Sequence, residues 1–539
     1  MKYFNSILKG TFVLFILLQV SACDEEESED KLKHSAEFNM ISSVDNVIAL
    51  ASYDFLKVMD ESQIKNSEHV PIEFRMMIKA YTGMALNSDK MGFNLEGNNH
   101  IVFVGGEKGQ IDYGFLTAEV NNKKRVKKGL KEYIKGSPKE KDGFMFLEDK
   151  YNNMVAGWDS AHVVIAYSDS EDKDLVAQIT SILKARAKDG KDNKDLENYL
   201  GRDDDMNYFV FMDEMMDFAK DADENNQFNE EYLALFDGVY LQGSGNFEVG
   251  EIVFEMDMLN GDALKNSEYN TIGSNPVSAD FLNYVTDNNL LFFGTAALNM
   301  DAMFSMMDMV ESKEDPFGEL KKLGFSEDQL KTMFTGEVAL SVIDVSMMAN
   351  PLKAQLDELV EEEDDFFADM ESGYVPSEIP MPKIVLSVGL NDTNGLVSLL
   401  NTGGEMLEGG YFQVEEMTYV VLTPDKLILT TSEAAAQLFG SGGKYPTYNM
   451  DGGASIDAPL FGHFNVKQEN LPEGITNVLT EMLGEGTADI LGMFESVNFS
   501  GSIDGAKMTI IMKNKSDNAA KVMVDEIFGN LDIDPMDML

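Results

Sequence analysis

The serines closest to a catalytic pattern are Ser244, in Gly243-Ser244-Gly245, and Ser441, in Gly440-Ser441-Gly442-Gly443. A nucleophile elbow spaces its glycines two residues either side of the serine. Both segments lack that spacing and read as tight turns, where glycine tolerates positive φ. Gly443-Lys444 is followed by Tyr445, so the hydroxyl that would reach magnesium in a phosphate loop is missing. The five histidines, His34, His69, His100, His162 and His463, form no His-x-x-x-His pair, and Cys23 is the sole cysteine. Zinc-ligand spacing is therefore absent, and these histidines read as packed or solvated side chains. Asp221-Ala222-Asp223-Glu224-Asn225-Asn226-Gln227 begins like a calcium loop. It then places Asn226 at the glycine position and Tyr232 where the bidentate Glu belongs. The acid runs Asp203-Asp204-Asp205 and Glu361-Glu362-Glu363-Asp364-Asp365 lack the alternation that wraps one ion. No catalytic residue, cofactor or dedicated metal site emerges. Diffuse divalent-cation binding is the metal chemistry to expect, and among 94 Asp and Glu no acid–base pair stands out.

Two patterns of side chains remain. Met300, Met303, Met306, Met307 and Met309 could hold Cu(I) through soft thioethers. Met303, Met306, Met307 and Val310 also form one apolar helical stripe, which reads as core filling. The second pattern is basic: Lys123-Lys124-Arg125 with Lys127, Lys128, Lys131 and Lys135. On a helix over 123–133, Val126, Leu130, Tyr133 and Ile134 turn inward and leave Lys124, Lys128, Lys131 and Lys135 on the opposite face. Such a stripe suits the phosphates of a surface glycolipid or an acidic partner; a merely solvated face is the plainer reading. The matching helix in the second half, near Asn391 to Leu400, has none.

Cys23 carries a different chemistry. It follows a short positive region (Lys2, Lys9), an apolar run from Thr11 to Val20, and the small residues Ser21-Ala22. Ten residues cannot span a bilayer, which takes about 20, so residues 1–22 read as a removable signal whose end makes Cys23 the site of lipid attachment. Six acids fill the seven residues after it, and residues 23–35 are expected to be an extended, self-repelling tether. Removing 1–22 takes two lysines and no acids, leaving 40 basic against 94 acidic residues, a net charge of −54. That field repels nucleic acid. With 44% hydrophobic residues the chain is not globally disordered. With no second cysteine, an exported chain must rely on packed cores, and this length calls for more than one.

Beyond the tether the chain runs through one programme of elements twice. Ser43 to Leu50 then Asp54 to Met59 corresponds to Thr286 to Phe293 then Asp301 to Met307, each a strand and a helix. His100 to Gly105 corresponds to Glu337 to Val345. Strand–helix units follow at Tyr113 to Val120 with Lys123 to Tyr133, and at Lys383 to Leu390 with Thr393 to Leu400. Trp158-Asp159-Ser160 and Thr423-Pro424-Asp425 each turn a hairpin. The comparison sets His162 opposite about Lys426, a position expected to be wet. Phe236 to Gly245 parallels Phe494 to Ile503, and each leads into an alternating strand, Glu251 to Leu259 or Ala506 to Lys513. The expected fold is α+β: two related domains, 36–275 and 276–530, each a mostly antiparallel sheet with helices packed on one face. Residues 531–539 form a tail.

The leader, the acidic run, the stretch from Thr335 to Leu340 and the hairpin Tyr419 to Ser432 resemble a family of Bacteroidota lipoproteins defined only as a domain of unknown function. An acidic run behind the lipid cysteine also resembles the surface-export signal of such lipoproteins. The resemblance implies a lipid anchor in the outer membrane, facing outward or toward the periplasm, and implies no catalytic residue. The expected function is a non-enzymatic binding or scaffold module with a glycan or envelope-protein partner and no nucleic acid. The rivals are a carboxylate- or calcium-dependent hydrolase of surface polysaccharide and a periplasmic carrier or chaperone for apolar cargo.

Overall fold

The computed structural model describes residues 30–64, 67, 70, 92–94, 99–106, 109–168, 170, 173–186, 193–222, 230–268, 270–286, 290–309, 325–349, 378–393, 395–397, 400, 405–415, 417–446, 456–467 and 492–530. The fold is α+β, with antiparallel strands and several helices. Two compact units divide the chain. One comprises Met1–Asn270 with Ile503–Thr509 and Asn514–Leu539, the other Thr271–Ser502 with Ile510–Lys513. The C-terminal stretch 514–539, which the sequence groups with the second half as far as residue 530, thus belongs to the first unit.

In the first unit the strands are β1 Val47–Tyr53, β2 Asn99–Gly105, β3 Ile111–Glu119, β4 Lys139–Lys141, β5 Phe144–Asp149, β6 Met154–Trp158, β7 His162–Tyr167, β8 Met206–Phe211, β9 Tyr240–Glu248 and β10 Glu251–Leu259. They pair antiparallel in the order β4-β5-β6-β7-β3-β2-β1-β8-β9-β10. The second unit contains β11 Phe292–Ala297, β12 Phe334–Ala349, β13 Glu378–Leu390, β14 Glu405–Leu407, β15 Tyr411–Glu415, β16 Thr418–Leu422, β17 Lys426–Thr430, β18 Leu460–Asn465 and β19 Phe494–Ser502. Their order is β14-β15-β16-β17-β13-β12-β11-β18-β19, the same arrangement strand for strand.

Helices cover both faces of each sheet, which corrects the expectation of one. In the first unit, α1 spans Asp30–Ser42, starting inside the stretch read as tether, α2 Phe55–Glu61, α3 Lys123–Tyr133 and α4 Leu175–Ala185. Leu175, Ile179, Ile182 and Leu183 of α4 pack with Phe115, Val164 and Ala166. Val126 and Leu130 of α3, with Ile134, pack with Leu116, Ala118, Val163, Ile165 and Trp158 on the other side. Successive strand residues point to opposite faces, and β3 is buried without a break from Tyr113 to Ala118. A strand apolar on both faces needs cover on both. In the second unit, α5 Glu433–Gly440 covers Val385 and Ile428, while Phe304, Leu330 and Met333 group with Val388 and Leu427 of the opposite face.

Gly243-Ser244-Gly245 is not a turn. It lies within β9, and Ser244 is buried. A Cβ on Gly243 would strike the Tyr208 ring, and one on Gly245 would meet Phe254 and Met206 at 2.9–3.0 Å. Bare backbone here lets neighbouring rings lie flat across the strand. Gly442, with φ +80, does sit in a turn after α5.

Candidate anion-binding face

The buried seam of α3 fixes which way its lysines point. Val126, Leu130 and Ile134 are at most 1% exposed, each worth about 2 kcal/mol of apolar burial. Lys124, Lys128 and Lys131 are exposed, as are Lys123 and Lys127. The helix ends at Tyr133 with Ile134 extended at φ −105, so Lys135 falls just past the helical face where the spacing put it. It remains exposed, and its backbone N–H donates to Asp149 Oδ2 at 3.3 Å. Among the described residues, none of these six lysines has a carboxylate within ion-pair distance. Two more bases, missed by a helix-only reading, continue the run on edge strand β4: Lys141, and Lys139, which pairs with Glu148 at 3.2 Å. From 123 to 141 there are nine bases and two acids.

Local stability does not explain this placement. The first turn of α3 is Lys123-Lys124-Arg125, against a macrodipole that favours acids there by roughly 0.3–1 kcal/mol each. Asn122 at the N-cap makes no side-chain cap bond. What seats that end is backbone: the Asn122 N–H donates to Gly92 O at 2.9 Å.

The remaining candidates resolve into packing. His100 Nδ1 lies 3.3 Å from Glu37 Oε1, which also accepts from Thr117 Oγ1 at 2.9 Å. Tyr199 meets the His100 ring edge-on at 5.3 Å. His463 Nδ1 lies 2.7 Å from Asn498 Oδ1. His162 and Lys426 are not wet; both are buried. Burial and then the Arg186 charge push the His162 imidazole down, while Lys426 Nζ lies 4.8 Å from the centre of the Phe281 ring. Burial of these strand-opening residues comes from segments packed against them, such as Phe281 and Tyr284 over Lys426, which alternation alone does not reveal. Met300 and Met303 are half-buried. The other cluster methionines, the Asp221–Gln227 and Glu361–Asp365 segments, His34, His69 and Cys23 lie outside the described side chains. Among the described residues no group of three or more His, Cys, Asp or Glu could hold a metal.

Of Asp203-Asp204-Asp205, the last two carboxylates are spent on structure. Arg202 Nε pairs with Asp204 at 2.8 Å. Buried Asp205 pairs with Lys57 Nζ at 3.0 Å and accepts from the Phe247 N–H at 2.6 Å. Beside it, burial first and then the Asp205 charge raise the Glu61 carboxyl from 4.5 to about 7. A carboxyl that holds its proton more tightly in the folded chain favours folding while protonated. That contribution is complete below about 4.5 and is lost as pH rises through 7. Glu61→Gln should therefore melt with the parent near pH 4.5 and at higher temperature at pH 8. Equal melting temperatures at pH 8 would remove the basis for this assignment.

No family model and no curated protein matches the chain. Among solved structures, TP0453 aligns in crystal forms III and I. Form III covers 42% of this chain and 80% of its own, with TM-score 0.25 and 7% identity. Form I covers 42% and 79%, with TM-score 0.23 and 6% identity. A likeness this slight says nothing about what the present chain does.

Proposed function

We propose that the chain is an outward-facing outer-membrane lipoprotein, anchored through Cys23, and a non-enzymatic scaffold that binds a phosphorylated glycolipid on the basic face of α3. The observation that carries this reading is the row of exposed lysines that have no ion partner among the described residues, on a chain of net charge −52. Distant acids do not cancel it, because charges further than about 8 Å are largely screened at physiological salt. We further infer that the two units arose by duplication. Nine strands share one order, and the hairpins share a turn: Asp159 N–H donates to His162 O at 3.1 Å, and Thr423 N–H to Lys426 O at 2.9 Å. A second copy of the scaffold leaves the first free to specialise, and only the first carries the stripe.

The test uses phosphatidylcholine vesicles with and without lipid A. Each lysine near an anionic surface contributes about 1 kcal/mol, so replacing Lys124, Lys128, Lys131 and Lys135 by alanine should weaken binding at least roughly 100-fold. Binding should also fall as salt rises. Lys124→Glu alone should weaken binding yet stabilise the fold by about 0.5 kcal/mol, since it repairs the helix dipole. Parent-like binding by the quadruple variant would sink the proposal.

A further inference from the structure

Beside the end of the lysine row, the first unit has a cavity of about 350 Å³, at the small end of ligand-binding cavities, which run about 300–1,000 Å³. Its apolar lining is Met154, Val155, Leu175 and Val176; its polar lining comes from the β5–β6 turn and the loop before α4. Most charges at the cavity are already committed. Glu148 is held by Lys139, Lys173 by Asp112, and Asp174 by the Ala177 N–H that it caps. Asp149 accepts from the Tyr151, Asn152 and Lys135 N–H groups. Three lining groups have no partner among the described residues: the Lys150 ammonium, the Asn153 amide and the Ser170 hydroxyl. One cation, one amide and one hydroxyl around an apolar floor match a hydroxyl-rich ring bearing one anionic substituent.

Two further observations tie the cavity to the basic face. The Lys135 N–H to Asp149 bond and the Lys139–Glu148 pair join the end of the row to the cavity lining. The cavity also sits where the first unit departs from the second. Strand β7 ends at Tyr167 and α4 starts at Leu175, whereas β17 ends at Thr430 and α5 starts at Glu433, capped directly by Ser432. The longer connection supplies Ser170, Lys173 and Asp174.

We infer that this cavity seats one acidic or phosphorylated sugar ring of the glycan whose other phosphates lie along α3. The inference rests on the proposed glycolipid reading and gives it a specificity pocket: the lysine row supplies attraction to any clustered anion, the cavity selects the sugar. Binding of glucose 1-phosphate, N-acetylglucosamine 1-phosphate, mannose 1-phosphate and galacturonate to the full chain can be measured by saturation-transfer NMR. Inorganic phosphate and free glucose are the references. At least one acidic sugar should bind tenfold more tightly than either reference. Val176→Trp, which fills the cavity, and Lys150→Ala, on an exposed residue that leaves the fold intact, should each reduce that binding at least tenfold. Both should leave binding to phosphatidylglycerol vesicles, which offer clustered anions and no sugar, within threefold, and the quadruple lysine variant should do the converse. If no acidic sugar exceeds inorganic phosphate, or if Lys150→Ala is without effect, the pocket is refuted while the basic face stands. Parent-like vesicle binding by the quadruple lysine variant refutes the basic face.

Discussion

Cys23→Ala should move the protein from the membrane fraction to the soluble fraction. The residue lies outside the described part of the structure, so the expectation rests on the order of charge, apolar run, small residues and thiol. The physical chemistry makes the effect large. A ten-residue apolar run is half of the roughly 20 needed to span a bilayer, and no described helix is long and apolar enough to cross one. On the lipoprotein reading proposed above, a covalent lipid at Cys23 and the basic face of α3 are the two attachments to separate. One acyl chain holds a protein only reversibly, with an association constant of about 10⁴ M⁻¹, whereas two give stable anchoring. Washing membranes at high salt separates lipid from electrostatic attachment, because salt strips the electrostatic contact at α3 and leaves acyl chains in place. Wild type should resist the wash and Cys23→Ala should be absent from membranes after it. Retention of the variant through that wash would refute lipid attachment.

Gly92→Ala carries the largest expected loss of stability. Gly92 has φ +83, and a Cβ there would lie 2.6 Å from Asn122 O and 2.8 Å from Arg125 C, closer still to Val126 N. The conformation alone costs an alanine about 1–2 kcal/mol, and forcing backbone apart adds roughly 1–3 kcal/mol. A total near 3 kcal/mol follows, felt where Gly92 receives the first turn of α3. Gly143→Ala is the matched comparison: its φ is +87, but nothing lies within 4 Å of the added carbon. Urea denaturation should show a loss of about 1 kcal/mol there, and a clearly larger one at Gly92. Equal losses would mean that the close approach to α3 does not matter. Vesicle binding should weaken in Gly92→Ala only, because the lysine row depends on that seat.

Much of the candidate site is written in local periodicity. The spacing of Val126, Leu130 and Ile134 predicts both the helix and the outward face of its lysines, and the helix spans Lys123–Tyr133 as expected. Strand β10 likewise occupies Glu251–Leu259, where alternation places it. Three features are invisible at that level. Gly243-Ser244-Gly245 has the composition of a turn, yet it is strand, because the rings of Tyr208 and Phe254 on neighbouring strands need glycine opposite them. Lys135 follows the 3.6-residue rhythm, yet the helix stops short of it. The cavity joins residues near 150 to residues near 175, which only strand pairing brings together.

What the sequence by itself determined is what short-range physics can encode. That includes the sequence of positive charge, apolar run, small residues and thiol at the N-terminus, the charge balance, the amphipathic helix and the repeated order of elements. Each is a property of neighbours along the chain, where a period of two or 3.6 residues suffices. The tertiary structure decided the strand order, the use of both sheet faces, the return of residues 514–539 to the first unit, and the cavity at the end of the lysine row. Those depend on contacts between distant segments. Such contacts are set by shape complementarity and the pairing of buried polar groups, and no local pattern records them.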